Sequence, residues 1–408
     1  MRHAAVGALF AVSAAACGDA AVSASGGNAV DAGAARDAGS SGTSIATDSG
    51  TTTSADAGGD ADASTGVSFP DPDWPTGAPE DFGIDSSGLD TADDVADQHS
   101  SFCLLVIRHG TLVWEKYFGG HDATSTDPSW SIAKSYSSAL VGIAIDRGEI
   151  HSLDDSVAAY VPSWVGTPMA AVTIRNLVTM TSGLHWDMFS DYVTMAELAP
   201  DKTSYALAQP LDDPPGSKWT YDNAGVQVLE PVIRAATGMA MDDYARKYLW
   251  SKIGMHGAWD HDDAGHPTAY ANVRATCRDH ARFGYLYLHG GSWEGTQVIP
   301  SSWVTDSTTP SQSINRGYGN LFWVNGSAPA EDAMMESFDG WISPIAPADM
   351  FAARGFGNQF IDVIPSLDLI VVRFGADPMA KFDIPTLLAD ARFSVHDEIM
   401  APILDAVH

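Results

Sequence analysis

Apolar and polar positions change their period twice along the chain. Phe69 to Pro79, rich in Pro and Asp, reads as an extended leading arm, and Ser86 to Asp97 as a short first helix. Phe102 to Ile107 and Thr111 to Phe118 are β-rich runs on either side of His109-Gly110, which predicts a hairpin. A helical period then takes over. The apolar segment Tyr136 to Ile145 ends at Arg147-Gly148, a basic residue and a glycine suited to a helix C-terminus. Asp154-Asp155 open a short helical piece limited by Pro162, and Thr173 to Met180 form another stopped by Ser182-Gly183. Tyr192 to Ala208 reads as helix apart from the Pro200 break. The rigid loop Pro214 to Thr220 leads into Tyr221-Asp222-Asn223, and a helical pattern continues through Val226, Leu229 and Ile233 to Gly238. Met241 to Ile253 and Thr276 to His289 are two further helices, closed by Gly254 and Gly290-Gly291. The middle third thus reads as almost all helix.

After Ser301 to Asp306 the strand period returns, over Tyr318 to Val324, Met350 to Arg354, Gln359 to Ile364 and Leu367 to Phe374. Pro365-Ser366 makes the last two a hairpin. Leu388, Ala391, Val395, Ile399, Ile403 and Val407 mark one stripe of a C-terminal helix. Strands at both ends with helices between them predict an α/β chain of the α+β kind: one mixed sheet built from both termini, flanked by helices, with an all-α subdomain inserted at roughly residues 150–290.

The first 66 residues follow a different rule. Arg2 precedes an Ala-rich apolar run ending Ser13-Ala14-Ala15-Ala16-Cys17-Gly18, so residues 1–16 read as an export signal. Small residues before Cys17 are similar to a bacterial lipobox, which makes Cys17 the candidate lipidated residue and the membrane a partner through a lipid anchor only. The alternative is an ordinary cleaved signal with an incidental Cys. The apolar run is shorter than the ~18 residues a spanning helix needs. Residues 17–66 contain Ala, Ser, Gly, Thr and Asp and no aromatic side chain, and seven Asp face only Arg36. Such a composition cannot bury enough apolar surface to offset its ordering entropy, and it predicts a disordered tether before a domain at 67–408.

Charge narrows the partners. With 21 basic against 52 acidic residues the chain carries −31, which argues against nucleic acid and anionic lipid surfaces as partners. Of the three Cys, Cys103 falls in an apparent strand and Cys277 at an apparent helix start. Whether these two pair is open.

The chemistry centres on Trp130-Ser131-Ile132-Ala133-Lys134-Ser135. Asp127-Pro128-Ser129 before it is turn chemistry, so Ser131 falls in the first turn of a helix, and Lys134 three residues on shares its face. A Lys desolvated near the positive end of a helix loses affinity for its proton and can take one from a Ser hydroxyl. The chain has seven Lys, and of these Lys134 alone has a Ser three positions earlier. The segment beyond it is apolar nearly all round, which places Lys134 inside, where an unpartnered ammonium is costly. Tyr221 can relay a proton, and the Asn223 amide can donate to a substrate carbonyl. Tyr270-Ala271-Asn272 and Tyr318-Gly319-Asn320 match the same triplet, but Tyr270 lies in a polar loop and Tyr318 opens a strand; both read as structural.

Ser131 to Ser135, Leu153-Asp154-Asp155, Leu177 to Leu184 and Tyr221-Asp222-Asn223 together resemble the serine hydrolase family related to class C β-lactamases. That family includes D-alanyl-D-alanine carboxypeptidases, carboxylesterases and 6-aminohexanoate-dimer hydrolases. The similarity continues through Arg278 to Gly284 and Phe351 to Gln359 and covers nearly all of residues 80–405. It implies a β-lactamase/transpeptidase-like fold with the site between sheet and helical subdomain, no metal or cofactor, and a small ester or amide substrate. It also implies Ser131 as nucleophile, Lys134 as base and Tyr221 as proton carrier. Where the β-lactamases have Lys-Thr-Gly, this chain has Ala353-Arg354-Gly355. Gly355 would let substrate approach, and the Phe356 N–H would complete an oxyanion hole with that of Ser131. The pattern Gly355-Phe356-Gly357-Asn358-Gln359 is closest to the esterase and amide-hydrolase branch. Arg354 either turns to the cleft to meet a substrate carboxylate or packs along the strand against one of the many acids. Asp187 either lines the cleft and meets a substrate amine or serves a helix end or turn.

Other constellations carry less. There is no Gly-x-Ser-x-Gly elbow. His256, His261, Asp262, Asp263 and His266 have a spacing that fits no helix face and read as a solvated loop. The expectation is an exported, lipid-anchored serine hydrolase acting on small esters or linear amides. A D,D-peptidase or β-lactamase is the alternative within the same chemistry, and a catalytically silent cell-wall binder the alternative outside it.

If Cys17 carries lipid, metabolic labelling with a fatty-acid analogue tags the wild-type chain and not Cys17→Ser. An unlabelled, soluble mature chain would show an ordinary signal instead.

Overall fold

His109 and Gly110 both adopt positive φ, 50° and 72°, a turn whose twist matches the strands it joins. Strands β1 (Ser101–Arg108) and β2 (Thr111–Tyr117) accordingly pair antiparallel. These coordinates are a computed structural model that describes residues 68–375 and 395–408. The export signal, Cys17, the whole of the tether, and Leu388 and Ala391 of the C-terminal stripe lie outside the described residues.

Among the described residues the main sheet has six strands. Trp323–Val324 is β3, Phe351–Gly355 is β4, Gln359–Ile364 is β5 and Leu369–Gly375 is β6. The order is β2-β1-β6-β5-β4-β3, so strands from both ends of the domain meet at β1 and β6. Every strand pairing in it is antiparallel; the parallel contact is a single bridge, Thr76 to Leu112, at the β2 edge. The expected mixed sheet is therefore an antiparallel one with a parallel bridge at its margin. Tyr318 to Val324, expected as one strand, is shorter. Leu321 takes a φ of 61° and its carbonyl accepts the Ser135 hydroxyl at 2.7 Å, which leaves only Trp323–Val324 to pair.

Residues alternate faces along a strand, and the two faces have different covers. Helices α1 (Ser86–Gln98), α2 (Ile132–Asp146), α3 (Cys277–Leu288) and α4 (His396–Asp405) supply them. On one face a Cβ on Gly284 of α3 would lie 2.8 Å from Ile361 Cγ2 and 3.2 Å from Ile370 Cγ2, so α3 rests almost backbone-to-sheet. On the other, α4 sends His396 to Asp362 at 2.5 Å and sets its ring against Phe360. Val395 precedes α4, whose Ile399 and Ile403 are fully buried. The leading arm is held as well: Trp74 is buried, with its indole N–H donating to Arg278 O at 3.1 Å.

The middle third departs from an all-helical reading in three ways. The pattern running from Val226 to Gly238 divides into Asn223–Gln227 and Leu229–Thr237, since Pro231 has no N–H to donate to the Gln227 carbonyl. The run expected from Tyr192 begins earlier, as a ten-residue π-helical segment, Phe189–Leu198. Asp127–Pro128, Val273–Ala275 and Ala258–Trp259 form a small antiparallel sheet that no periodicity announced. Among the described residues no helix is long and apolar enough to cross a membrane.

Cys103 of β1 and Cys277, the first residue of α3, form a disulfide across a separation of 174 residues. A closure this long removes much of the freedom of the unfolded chain. Replacing both Cys by Ala is expected to lower unfolding free energy by about 2–4 kcal/mol in denaturant. In a Cys17→Ser background the unreduced, denatured protein should show no titratable thiol. Two titratable thiols there would rule the pairing out.

Candidate active site

The site is built on a strained turn. Trp130 takes a φ of 47°, in the left-handed region that an aromatic residue adopts only when its surroundings hold it there. They do so from two directions. Asn272, itself at φ 61°, accepts the Trp130 N–H on Oδ1 at 3.1 Å and donates its own N–H to the Trp130 carbonyl at 3.0 Å. From the other side comes Gly355: a Cβ there would sit 2.4 Å from Ser129 O and 3.3 Å from Trp130 Cβ. Ser129 is fully buried, and its hydroxyl accepts the Val273 N–H at 2.9 Å. The turn delivers Ser131 to the N-cap position of α2. The close approach that Gly355 permits is thus to this turn. Phe356 follows it, edge-on to Trp130 with centroids 5.7 Å apart, so the two candidate oxyanion amides, Ser131 and Phe356, belong to segments in contact.

Lys134 is the third residue of α2, one turn on from Ser131, and is 1% exposed. Its Nζ donates to Ser131 Oγ at 2.8 Å, to Asn223 Oδ1 at 2.6 Å and to the Tyr270 carbonyl at 3.0 Å. It also stands over the rings of Tyr221 and Tyr270, 4.8 and 5.6 Å from their centroids. Burial pulls its pKa down to about 7, against the opposing pull of the Asp191 and Asp222 charges. Desolvation wins, and a neutral amine becomes accessible near physiological pH.

Tyr221 is buried in an aromatic wall, stacked on Trp323 at 5.8 Å and edge-on to Tyr318 at 6.3 Å, with Trp219 behind it. Asn223 opens the helix Asn223–Gln227. Its amide, expected to face a substrate carbonyl, is instead engaged at both ends: Oδ1 accepts from Lys134, and Nδ2 donates to Asp191 Oδ2 at 2.8 Å. Asp222 is buried beside it, taking the Ser182 hydroxyl at 3.0 Å, and burial raises its pKa to about 6.

Two further expectations resolve toward their structural alternatives. Asp187 Oδ1 accepts the N–H groups of Phe189 and Ser190, both at 2.9 Å, while Oδ2 meets His185 Nε2 at 3.1 Å; it serves a helix start. Arg354 is buried on the sheet face opposite Gly355, its guanidinium 5.7 Å from the Phe360 centroid; against the cost of burial, hydrogen bonds from His396 and Ser343 lower the pKa of Asp397 in α4, and the Arg354 charge adds to them. It packs along the strand, away from the Ser131 turn.

Sequence reasoning missed three residues. Tyr270 and Asn272, set aside as a structural match to the Tyr-x-Asn triplet, supply a carbonyl to Lys134 and the clamp on Trp130. Their signal was the triplet itself. Asp191, 3% exposed, was not singled out; the available signal was an acid inside the apolar run Met188 to Val193. Asp201, Asp262 and His266 bring potential metal-ligating atoms within 4.8 Å of one another. Asp262, however, is buried and already accepts the N–H groups of Lys202, Ala264 and His266, which makes it a loop clasp.

The chain matches the family profile named Beta-lactamase over residues 91–377. It is 24% identical over 253 residues to the 6-aminohexanoate-dimer hydrolase of Paenarthrobacter ureafaciens, covering 55% of this chain and 64% of that one. Penicillin-binding protein 4* of Bacillus subtilis is 26% identical over 205 residues, 45% of this chain and 41% of that one. Among solved structures, a putative 6-aminohexanoate-dimer hydrolase from Bacillus anthracis superposes with a TM-score of 0.63 at 22% identity, over 76% of this chain and 81% of that one. A class C β-lactamase in complex with cefoxitin gives 0.54 at 19%, over 78% and 99%. The fold is therefore the β-lactamase/transpeptidase-like one, of the α+β class.

Because a methyl at position 355 would collide with the Ser129 carbonyl, Gly355→Ala must push the Ser131 turn and β4 apart. A displacement of this order is expected to lower kcat by about 100-fold. Wild-type kcat in a folded Gly355→Ala protein would show that the contact does not set the position of Ser131.

Proposed function

We propose that this chain, which belongs to the beta-lactamase family of hydrolases, cleaves small esters or linear amides through an acyl-enzyme on Ser131. The observation that carries this is the buried Lys134 amine 2.8 Å from the Ser131 hydroxyl, with its proton affinity lowered by burial. Neutral Lys134 takes the Ser131 proton as Oγ attacks the substrate carbonyl carbon. The resulting oxyanion lies between the N–H groups of Ser131 and Phe356. The proton returns to the leaving group by way of Tyr221, the C–O or C–N bond breaks, and the acyl group stays on Oγ. Water then attacks the ester carbonyl and gives a proton to Tyr221, Lys134 passes a proton back to Ser131 Oγ as the Oγ–acyl bond breaks, and the carboxylic acid leaves. Asn223 serves this cycle by holding Lys134, and no metal or cofactor enters it.

The ester and linear-amide branch is supported by β4. Ala353 occupies the place where the β-lactamases resemble a lysine, and Arg354 points to the other face, so β4 offers no cation to a β-lactam carboxylate from that position. The similarity to 6-aminohexanoate-dimer hydrolases supports the same branch. Export is supported by the Cys103–Cys277 disulfide, which suits an oxidising compartment, and the lipid anchor by the residues around Cys17.

Intact-mass analysis with a fluorophosphonate should show one adduct on the wild type and none on Ser131→Ala. Because Lys134 must be neutral to act, kcat/KM is expected to rise with pH through about 7 and then level. Lys134→Ala should lose roughly 10²–10⁴-fold. A nitrophenyl ester should be turned over far better than a chromogenic cephalosporin. An adduct that persists in Ser131→Ala removes the nucleophile assignment, and efficient cephalosporin turnover moves the chain to the β-lactamase branch.

A further inference from the structure

Resting on the reading of Ser131 and Lys134 given above, we propose that Asp191 is a positioning residue of the reaction, acting through the Asn223 amide to aim the Lys134 amine at Ser131. The four side chains form one line. Asp191 Oδ2 accepts Asn223 Nδ2 at 2.8 Å, Asn223 Oδ1 accepts Lys134 Nζ at 2.6 Å, and Lys134 Nζ donates to Ser131 Oγ at 2.8 Å. An amide has two nearly isosteric ends, and only one orientation offers its oxygen to Lys134. The carboxylate decides which, since it accepts hydrogen bonds and cannot donate them when ionised.

The rest of the Asp191 environment consists of donors. Its Oδ1 takes the Ala224 N–H at 3.3 Å, and its Oδ2 takes the Asn223 N–H at 3.4 Å and the Trp186 indole N–H at 3.3 Å. Four donors on one buried carboxylate pin it between two elements, the Phe189–Leu198 segment that carries it and the Asn223–Gln227 helix start that it receives. A structural cap would need only the backbone donors; the side-chain bond to Asn223 is what ties it to the base.

The same carboxylate has an electrostatic consequence. The groups facing Lys134 are Ser131 from its own helix, Tyr221, Asp222 and Asn223 from the segment opening the next helix, Asp191, and the ring and carbonyl of Tyr270. Of these, Asp191 and Asp222 are the carboxyl groups, and the charge of either favours the ammonium form of Lys134. Burial, and then the Asp222 charge, raise the pKa of Asp191 itself to about 7, so its carboxyl titrates together with the Lys134 amine, and removing the Asp191 charge lowers the pH at which Lys134 becomes neutral. An asparagine at 191 also has a single acceptor oxygen, so its own NH2 must face one of the four donors and the Asn223 amide loses its fixed orientation.

The test compares wild type, Asp191→Asn and Asp191→Glu on an activated ester across pH, with fluorophosphonate labelling of Ser131 read by peptide mass on a separate sample of each. In Asp191→Asn the rising limb of kcat/KM should move to lower pH by about one unit. The plateau kcat should fall about 10- to 100-fold, with KM within about threefold of wild type. Asp191→Glu keeps the charge and displaces it, so its limb should stay in place while kcat falls. If Asp191→Asn does not fold by circular dichroism, Asp191→Glu decides alone. Failure of the two readings is separable. A wild type that is not labelled at Ser131 removes the whole site assignment. Labelled Ser131 with an unmoved or upward-moving limb in Asp191→Asn, or full kcat in Asp191→Glu, overturns the role of Asp191 only.

Discussion

The constraint on which the site depends is the removal of one ammonium group from water. A lysine in solvent holds its proton far too tightly to serve as a base at neutral pH, with a pKa near 10.4. Taking it into the interior costs several kcal/mol when it stays charged. Here the cost is partly returned by two buried carboxyl groups, a side-chain amide, a backbone carbonyl and two aromatic faces. The balance leaves Lys134 stable in place yet willing to lose its proton. More compensation would lock it as an ammonium; less would drive it from the core.

That balance explains why so much of the fold converges on α2. Its residues from Ile132 to Ala144 are buried, which is possible because the helix lies between the sheet and the helices of the middle third. Positive φ at Trp130 and Asn272, unfavourable for side-chain-bearing residues, is tolerated since each holds the other through reciprocal backbone and side-chain bonds. Arg354 and the His396–Asp362 pair do comparable work on the far face, fastening the C-terminal helix to the strands that end at Gly355.

What could be read from the residues was what they determine locally. His109-Gly110 announces its hairpin, the apolar run after Ser131 announces a buried helix, and the Pro-Gly loop before Tyr221 announces a helix start. The family resemblance rests on those same segments, and the profile match and shared fold agree with it. What could not be read was what depends on partners distant in the chain. Asp191 is one acid among 52 acidic residues until Asn223 is placed beside it. Asn272 matches a pattern for one reason and matters for another, its contact with Trp130. Three short strands of two or three residues carry no period, and the pairing of Cys103 with Cys277 follows only from the folded path. Alternation along β4 left two orientations for Arg354, and the ring of Phe360 on the neighbouring strand selects one.

The clamp on Trp130 has a consequence for how activity is acquired. Ser129 and Trp130 are held by Val273 and Asn272, more than 140 residues onward, and by Gly355, some 80 residues later still. Contacts of such high order close late in folding, after local helices and hairpins have formed. Until they close, Ser131 and Lys134 sit on an ordinary helix in water, where the amine keeps its proton and the hydroxyl is inert. The lowered proton affinity of Lys134 is therefore a property of the whole folded domain and not of the Ser131–Lys134 segment by itself.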